Sequence, residues 1–238
     1  MGTRPVAVVS DLWRYPVASM GGERLRRAFF GPLGMIGDRR LVVVDDDGEA
    51  LVAVRNPGLL TFRARCTDAG RGDGVEVIAP DGDARAWDDP AVATAIAKVL
   101  EREDRDPVAL APGTVGLHAA SPIALLAEQS IALLSDWAGE EVDRRRLRPN
   151  VVVDTTDDEP LPEDAWHGRR LLIGEEAQVD VVSATRRSGV LSRDPDTAER
   201  DTRAHAALAR ERRNHLGACC RVVRPGWVAV GDPVMITA

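Results

Sequence analysis

The chain has 238 residues, of which 44% are hydrophobic and 29% charged, with a net charge of -7; that is enough for a substantial core in one large domain or two small ones. The acidic balance argues against a general nucleic-acid binder, and no apolar run approaches the roughly 18 residues of a membrane helix. Three cysteines and four scattered histidines, His118, His167, His205 and His215, form neither a disulfide framework nor a zinc pattern.

The opening Met1-Gly2-Thr3-Arg4-Pro5 lacks the apolar stretch of a signal peptide, and Val6 stands where a myristoylation signal carries Ser or Thr. A cytoplasmic protein with no membrane and no nucleic-acid partner is expected. Val6 to Trp13 reads as a strand. After a turn-rich stretch, Leu41 to Val44 reads as a buried strand, because its apolar, mostly β-branched residues are bounded by turn signals. Asp45-Asp46-Asp47-Gly48 reads as a hairpin turn, with Leu51 to Val54 as the return strand. Leu60 to Cys66 and Gly74 to Ala79 read as further strands. Asp88-Asp89-Pro90 opens a helix, with Asp as cap and Pro in the first turn, running to about Glu103. Asp104 to Pro112 is a charged connector and the domain boundary.

In the second half, from near Gly113, two readings stay open. Ser121-Pro122 caps one long helix through Trp137, or Ile123 to Leu126 is a strand and the helix begins near Ser130. Val151 to Asp154, Leu171 to Gly174 and Val179 to Val182 are expected strands. Thr197 to Asn214 is expected as an exposed helix, and Arg221 to Val223, Trp227 to Val230 and Val234 to Ile236 as closing strands. Many short strands and few helices suggest barrels.

The cations are lopsided: one lysine, Lys98, stands against thirty arginines. A GC-rich genome accounts for most of that bias. Guanidinium groups also match phosphate oxygens bidentately, so some of these arginines are candidates for anion sites.

Seven segments, in order and with matching gaps, carry a family resemblance. They are Leu12 to Met20 around Tyr15-Pro16-Val17; Gly37-Asp38-Arg39-Arg40 with Leu41 to Asp45; Val54 to Pro57; Arg146 to Val151; Glu163 to Trp166 with Leu171 to Gly174; Arg187 to Thr197; and Gly226 to Asp232. Along nearly its whole length the chain resembles the MOSC-domain family, which includes the molybdenum cofactor sulfurase C-terminal domains and the mitochondrial amidoxime-reducing component. The resemblance implies a mainly β fold with a few helices (α+β): a MOSC-type β-barrel over residues 111–238, preceded by a smaller N-terminal β-barrel region over 1–110.

The resemblance also implies a pterin-based molybdenum cofactor (molybdopterin) with a terminal phosphate, and places Ser19, Arg39, Ser130, Arg148, Asn150 and Arg187 around it. Ion pairing for Arg39 and Arg148 and helix capping for Ser130 are the competing structural roles. The sequence departs from the family where it matters most. The metal-ligating cysteine that follows the arginine is Ser188, a hard hydroxyl in place of a soft thiolate, and the lysine before Ser19 is Ala18. Cys219 and Cys220 are alternative thiols, although cysteines in an apolar strand are usually small core residues.

The implied function is a molybdenum-cofactor oxidoreductase acting on N-hydroxylated small molecules, fed by a flavin or iron–sulfur reductase, with Ser188 at the catalytic and metal position. The alternative is a diverged protein without molybdenum that binds a small anionic metabolite in an arginine-lined pocket. A pyridoxal phosphate enzyme ranks last, because a Schiff base needs a lysine and Lys98 falls on a helix expected to be exposed.

Overall fold

The computed structural model describes residues 5–68, 74–102, 108–112, 122–157 and 159–237. Part of the expected connector, Gly113, His118 and Ser121 lie outside the described residues.

Seven strands close into a barrel. They are β1 (Ala7–Arg14), β10 (Ile123–Ala127), β11 (Val151–Thr155), β12 (Arg170–Ile173), β13 (Ala177–Arg186), β14 (His215–Arg224) and β16 (Pro233–Thr237). Their order is β11-β10-β14-β13-β12-β16-β1, with β1 pairing back onto β11. Every neighbour in the ring is antiparallel except β10 and β11, which run parallel with Leu125 opposite Val151. Alternation along each strand sends one set of side chains inward. Val9, Leu12, Ile123, Leu125, Val151, Val153, Leu171, Ile173, Val179 and Cys220 form that inner core.

The segment between β1 and β10 supplies every other strand named here but β15. β2 (Glu23–Leu25) extends the sheet beside β1, while β3 (Arg27–Gly31) and β4 (Gly34–Met35) join β15 (Gly226–Ala229) in a small sheet. β5 (Leu41–Val44) pairs with β9 (Ala109–Pro112), and β6 (Arg63–Cys66), β7 (Val75–Ile78) and β8 (Ala84–Ala86) form another sheet. With α1 (Pro90–Val99) these enclose a second core of Val17, Met20, Val43, Leu59, Phe62 and Ile96. A third cluster lies outside the barrel. There α2 (Glu128–Ala138) and α4 (Arg203–Arg212) cover Leu126, Val152 and Leu216 with Ile131, Leu134 and Leu208. Each such buried aliphatic side chain contributes about 1.5–3 kcal/mol. The short α3 (Pro162–Ala165) carries Glu163.

Several expectations need correction. Leu51 to Val54 forms no strand: Ala50 bridges Val44 and Leu51 N donates to Val43 O (2.8 Å), but the chain then turns, with Arg55 N donating to Val52 O (3.0 Å). The pairing stops at Leu51; Ala53 is buried in the turn beyond it, so its hydrophobicity reflects burial rather than pairing. β9, inside the expected connector, takes the place beside β5. The beginning of Leu60 to Cys66 is the end of a 3-10 turn, Pro57–Thr61. α1 stops at Val99, with Glu101 in the left-handed region at φ 54°. Of the two readings after Pro122, the strand followed by a helix is the one observed. The helix within Thr197 to Asn214 is only α4, and its Ala204, Ala207 and Leu208 face is buried. Among the described residues no helix is long and apolar enough to cross a membrane.

Candidate functional site

The site starts with two tight turns that put arginines in the left-handed region. A 3-10 turn at Arg144–Leu147, capped by Asp143 Oδ1 accepting from Arg145 N (2.8 Å), ends on Arg148 at φ 50°. Gly37 at φ 84° leads through Asp38 to Arg39 at φ 49°. A non-glycine residue in this region carries strain that the surrounding structure must hold in place. Here Asp38 does so: it accepts from Tyr15 N (2.7 Å) and ion-pairs with Arg39.

Tyr15, 1% exposed, lies under both cations. The Arg148 guanidinium carbon is 4.2 Å from its ring centroid and that of Arg39 is 5.3 Å away, within cation–π range. Burial pushes the Tyr15 hydroxyl up to about 12 even with these cations beside it.

A cleft of about 260 Å³ opens between the N-terminal segment and the barrel wall. Five arginines, Arg39, Arg146, Arg148, Arg186 and Arg187, line it, and none of its lining residues is a carboxylate. Arg148 gives Nη1 to Met20 O (2.7 Å), while its buried Nη2 has no hydrogen-bond partner among the described residues. Arg187, 8% exposed, gives Nε to Leu216 O (2.8 Å) and Nη1 to Leu147 O (2.5 Å), and its buried Nη2 is likewise without a partner. Burial lowers both guanidinium groups to about 10, so both stay charged at neutral pH. An unmatched buried donor is costly; two, on arginines that line one cleft, suit an anion such as a phosphate. A larger cavity of about 400 Å³ lies beyond Arg148, lined among others by Trp13, Tyr15, Arg63 and Arg193.

The other expected residues divide. Ser19, at φ 71°, faces the cleft, but its Oγ accepts from Ala53 N (3.0 Å). Asn150 is fully buried at the cleft floor. Its Oδ1 accepts from Ala124 N (3.1 Å) and Arg39 Nη1 (3.3 Å), and its Nδ2 donates to Trp13 O (3.3 Å), tying β1, β10 and Arg39 together. Ser188 is an exposed cleft residue whose Oγ accepts from Val190 N (3.4 Å) at the start of a 3-10 turn.

Ser130 is not at the cleft. It is fully buried and donates to Glu163 Oε2 (2.5 Å), and it does not cap α2. Tyr15 entered the sequence expectations only within a motif, and Thr185 and Gly217 not at all. A lone glycine inside a strand marks a close approach, and that signal was available at Gly217. Lys98 is exposed on α1 and is not among the cleft residues. Among the described residues no group of three or more His, Cys, Asp or Glu is placed to hold a metal.

Glu163 permits a pH test. Burial raises its carboxyl above the ordinary value, although its bonds from Ser130 and Ala127 N (2.6 Å) pull the other way. A folded-state pKa above the unfolded one means the folded protein holds more protons, so stability falls as pH rises from the unfolded value through the folded one. Glu163→Gln should remove that fall. Thermal unfolding of both proteins across pH measures it; parallel wild-type and variant curves would show that Glu163 does not titrate differently on folding.

The family model for the MOSC domain matches residues 112–235, and that for the MOSC N-terminal beta barrel domain matches residues 6–104. No curated protein matches the chain. Among solved structures, the YuaD protein from Bacillus subtilis is similar at 14% identity with a TM-score of 0.54, covering 97% of this chain and 94% of that one. YiiM from Geobacillus stearothermophilus (14% identity, TM-score 0.37) covers 50% of this chain and 55% of its own. YiiM from Escherichia coli (17% identity, TM-score 0.34) covers the same shares, 50% and 55%.

Proposed function

The chain belongs to the MOSC-domain family, and on that premise we propose that its arginine cleft binds the molybdenum cofactor through the cofactor's phosphate. One observation carries this reading: two buried guanidinium groups, Arg148 and Arg187, each leave one Nη2 unpartnered in a cleft lined by five arginines and no carboxylate. Arg39 adds charge, and Asn150 fixes its position. A bound molybdenum cofactor supplies oxygen-atom transfer, so the proposed activity is reduction of N-hydroxylated small molecules, with electrons delivered by a flavin or iron–sulfur reductase. The chain's own residues bind and orient the anionic end and limit its exposure to water.

A second reading rests on Ser188. Its hydroxyl is exposed and already accepts from Val190 N, so the family's usual thiolate position offers no soft ligand. On that reading the same cleft holds a small anionic metabolite without a metal.

Metal analysis of protein purified from a host that makes the cofactor separates the two. Stoichiometric molybdenum supports the first reading and its absence the second. Under either one, Arg148→Ala should weaken phosphate binding roughly 10- to 150-fold, the equivalent of ~1.5–3 kcal/mol for a charge-assisted hydrogen bond. Calorimetric titration with inorganic phosphate measures this. Unchanged affinity in a folded variant would remove Arg148 from the site.

A further inference from the structure

We propose that the cavity of about 400 Å³ beyond Arg148 is a second ligand site, taking a small aromatic carboxylate whose charge meets Arg63 and whose ring lies against Trp13 and Ile78. The cavity borders the arginine cleft along Arg146, Arg148 and Val190, which line both, yet the site stands whether or not the cleft holds a cofactor.

The cavity draws its lining from β6 and β7, from Trp13 and Tyr15 around the end of β1, and from Val190, Arg193 and Pro195 after β13. Alternation along β6 buries Ala64 and leaves Arg63 and Arg65 on one exposed face. Their cross-strand neighbours on β7 decide what each arginine can do. Arg65 stands opposite Glu76 and pairs with it, Nε donating to Oε2 (2.6 Å). Arg63 stands opposite Ile78, so the same register gives it an apolar neighbour. It makes no hydrogen bond or ion pair with another of the described residues.

The charges around the cavity are uneven. Seven arginines line it against two carboxylates, Glu23 and Asp196, and both carboxylates are committed. Glu23 accepts from Arg14 Nε (2.9 Å) and Cys66 N (2.8 Å), and Asp196 accepts from Arg145 Nη1 (2.9 Å) and Nη2 (2.8 Å). Tyr15, 1% exposed, lines the same cavity, and its hydroxyl has no hydrogen-bond partner among the described residues. Donors in surplus over free acceptors suit a ligand that brings acceptors. The remaining wall is largely apolar. Trp13 has already given its indole N–H to Asp11 Oδ2 (2.9 Å), and Leu60, Ile78, Val190 and Pro195 carry no polar side-chain atom. A guanidinium fork matches the two oxygens of a carboxylate, and an aromatic wall favours a flat ring. The volume lies at the low end of small-molecule pockets, roughly 300–1,000 Å³.

Calorimetric titration of the full chain with 2-naphthoate tests the site. The wild type should bind it, and the uncharged 2-naphthalenemethanol should bind roughly 10-fold more weakly or worse, the loss expected for a charge-assisted contact. Arg63→Ala should weaken naphthoate by a similar factor and leave affinity for inorganic phosphate unchanged, because Arg63 lines this cavity and not the cleft. Ile78→Glu should weaken naphthoate further. It repeats opposite Arg63 the cross-strand pair that Glu76 makes with Arg65, and so neutralises the free cation. Arg187→Met, altered in the cleft alone, should bind naphthoate as the wild type does. The assignment is overturned by a wild type that does not bind naphthoate, by equal affinity for the acid and the alcohol, or by an affinity that neither Arg63→Ala nor Ile78→Glu moves. Loss of naphthoate binding in Arg187→Met also overturns it and places the acid in the arginine cleft.

Discussion

Arg187→Met should fold and unfold within a few degrees of wild type, yet lose phosphate affinity by roughly 100-fold. The two halves of this result have different causes. In the wild type a full charge is held at 8% exposure with no carboxylate in ion-pair contact among the described residues. Replacing it with an apolar chain of similar length removes a desolvation cost of the kind that makes buried charges poor stabilisers. Against that, Leu216 O and Leu147 O lose their donors, about 1–3 kcal/mol for each carbonyl left dry. These terms largely offset. Binding has no such offset, because the variant removes both the unpartnered Nη2 and a unit charge, together ~3 kcal/mol. Calorimetric titration with phosphate and thermal unfolding measure the two halves. A folded variant with wild-type affinity would mean that the Arg187 donor does not face the anion.

Gly217→Ala should destabilise the protein strongly for a single added methyl. Gly217 has φ 75°, and an added Cβ would sit 2.7 Å from both Arg187 Nη2 and Leu125 O and 2.8 Å from Leu126 Cδ1. A carbonyl in the β10–β14 pairing has little room to move. The strained backbone and the overpacking together cost about 2–4 kcal/mol, a Tm drop of roughly 5–15 °C. Arg187 would be displaced as well, so phosphate binding should weaken with stability. Unchanged Tm and affinity would show that β14 shifts to accept the methyl.

Much of the barrel was legible because its staves announce themselves. Val151 to Asp154 and Leu171 to Gly174 are short apolar runs between turn signals, and both are strands. What misled was apolar sequence without pairing, as at Ala53, which is buried in a turn. What escaped notice was pairing without apolar sequence: Ala84–Ala86 is a fully exposed strand, and Glu23–Leu25 carries two charges. Motif resemblance singled out Arg39, Arg148, Asn150 and Arg187 from positions far apart in the chain, and the structure gathers them at one cleft. It could not separate Ser130, whose hydroxyl is committed to Glu163, because a serine in a motif looks the same whether it meets a ligand or a buried carboxylate. Nor could it tell Cys219 from Cys220, since strand parity depends on the bulges along β13 and β14.

The ring of seven strands has a consequence for how the chain reaches its native state. β1 is wedged between β11 and β16, with Ala7 opposite both Thr155 and Val234. Its pairing with β16 joins stretches near opposite ends of the sequence, the kind of long-range contact that slows folding. On the ribosome β1 emerges early and has no partner in the ring until β11 is made, and the last gap shuts only when β16 arrives. Throughout that interval the open sides of β1 present unpaired backbone N–H and C=O groups, a template for pairing with other chains. Chaperone demand should therefore concentrate on the nascent protein rather than on the finished one, whose ring leaves no such edge at β1.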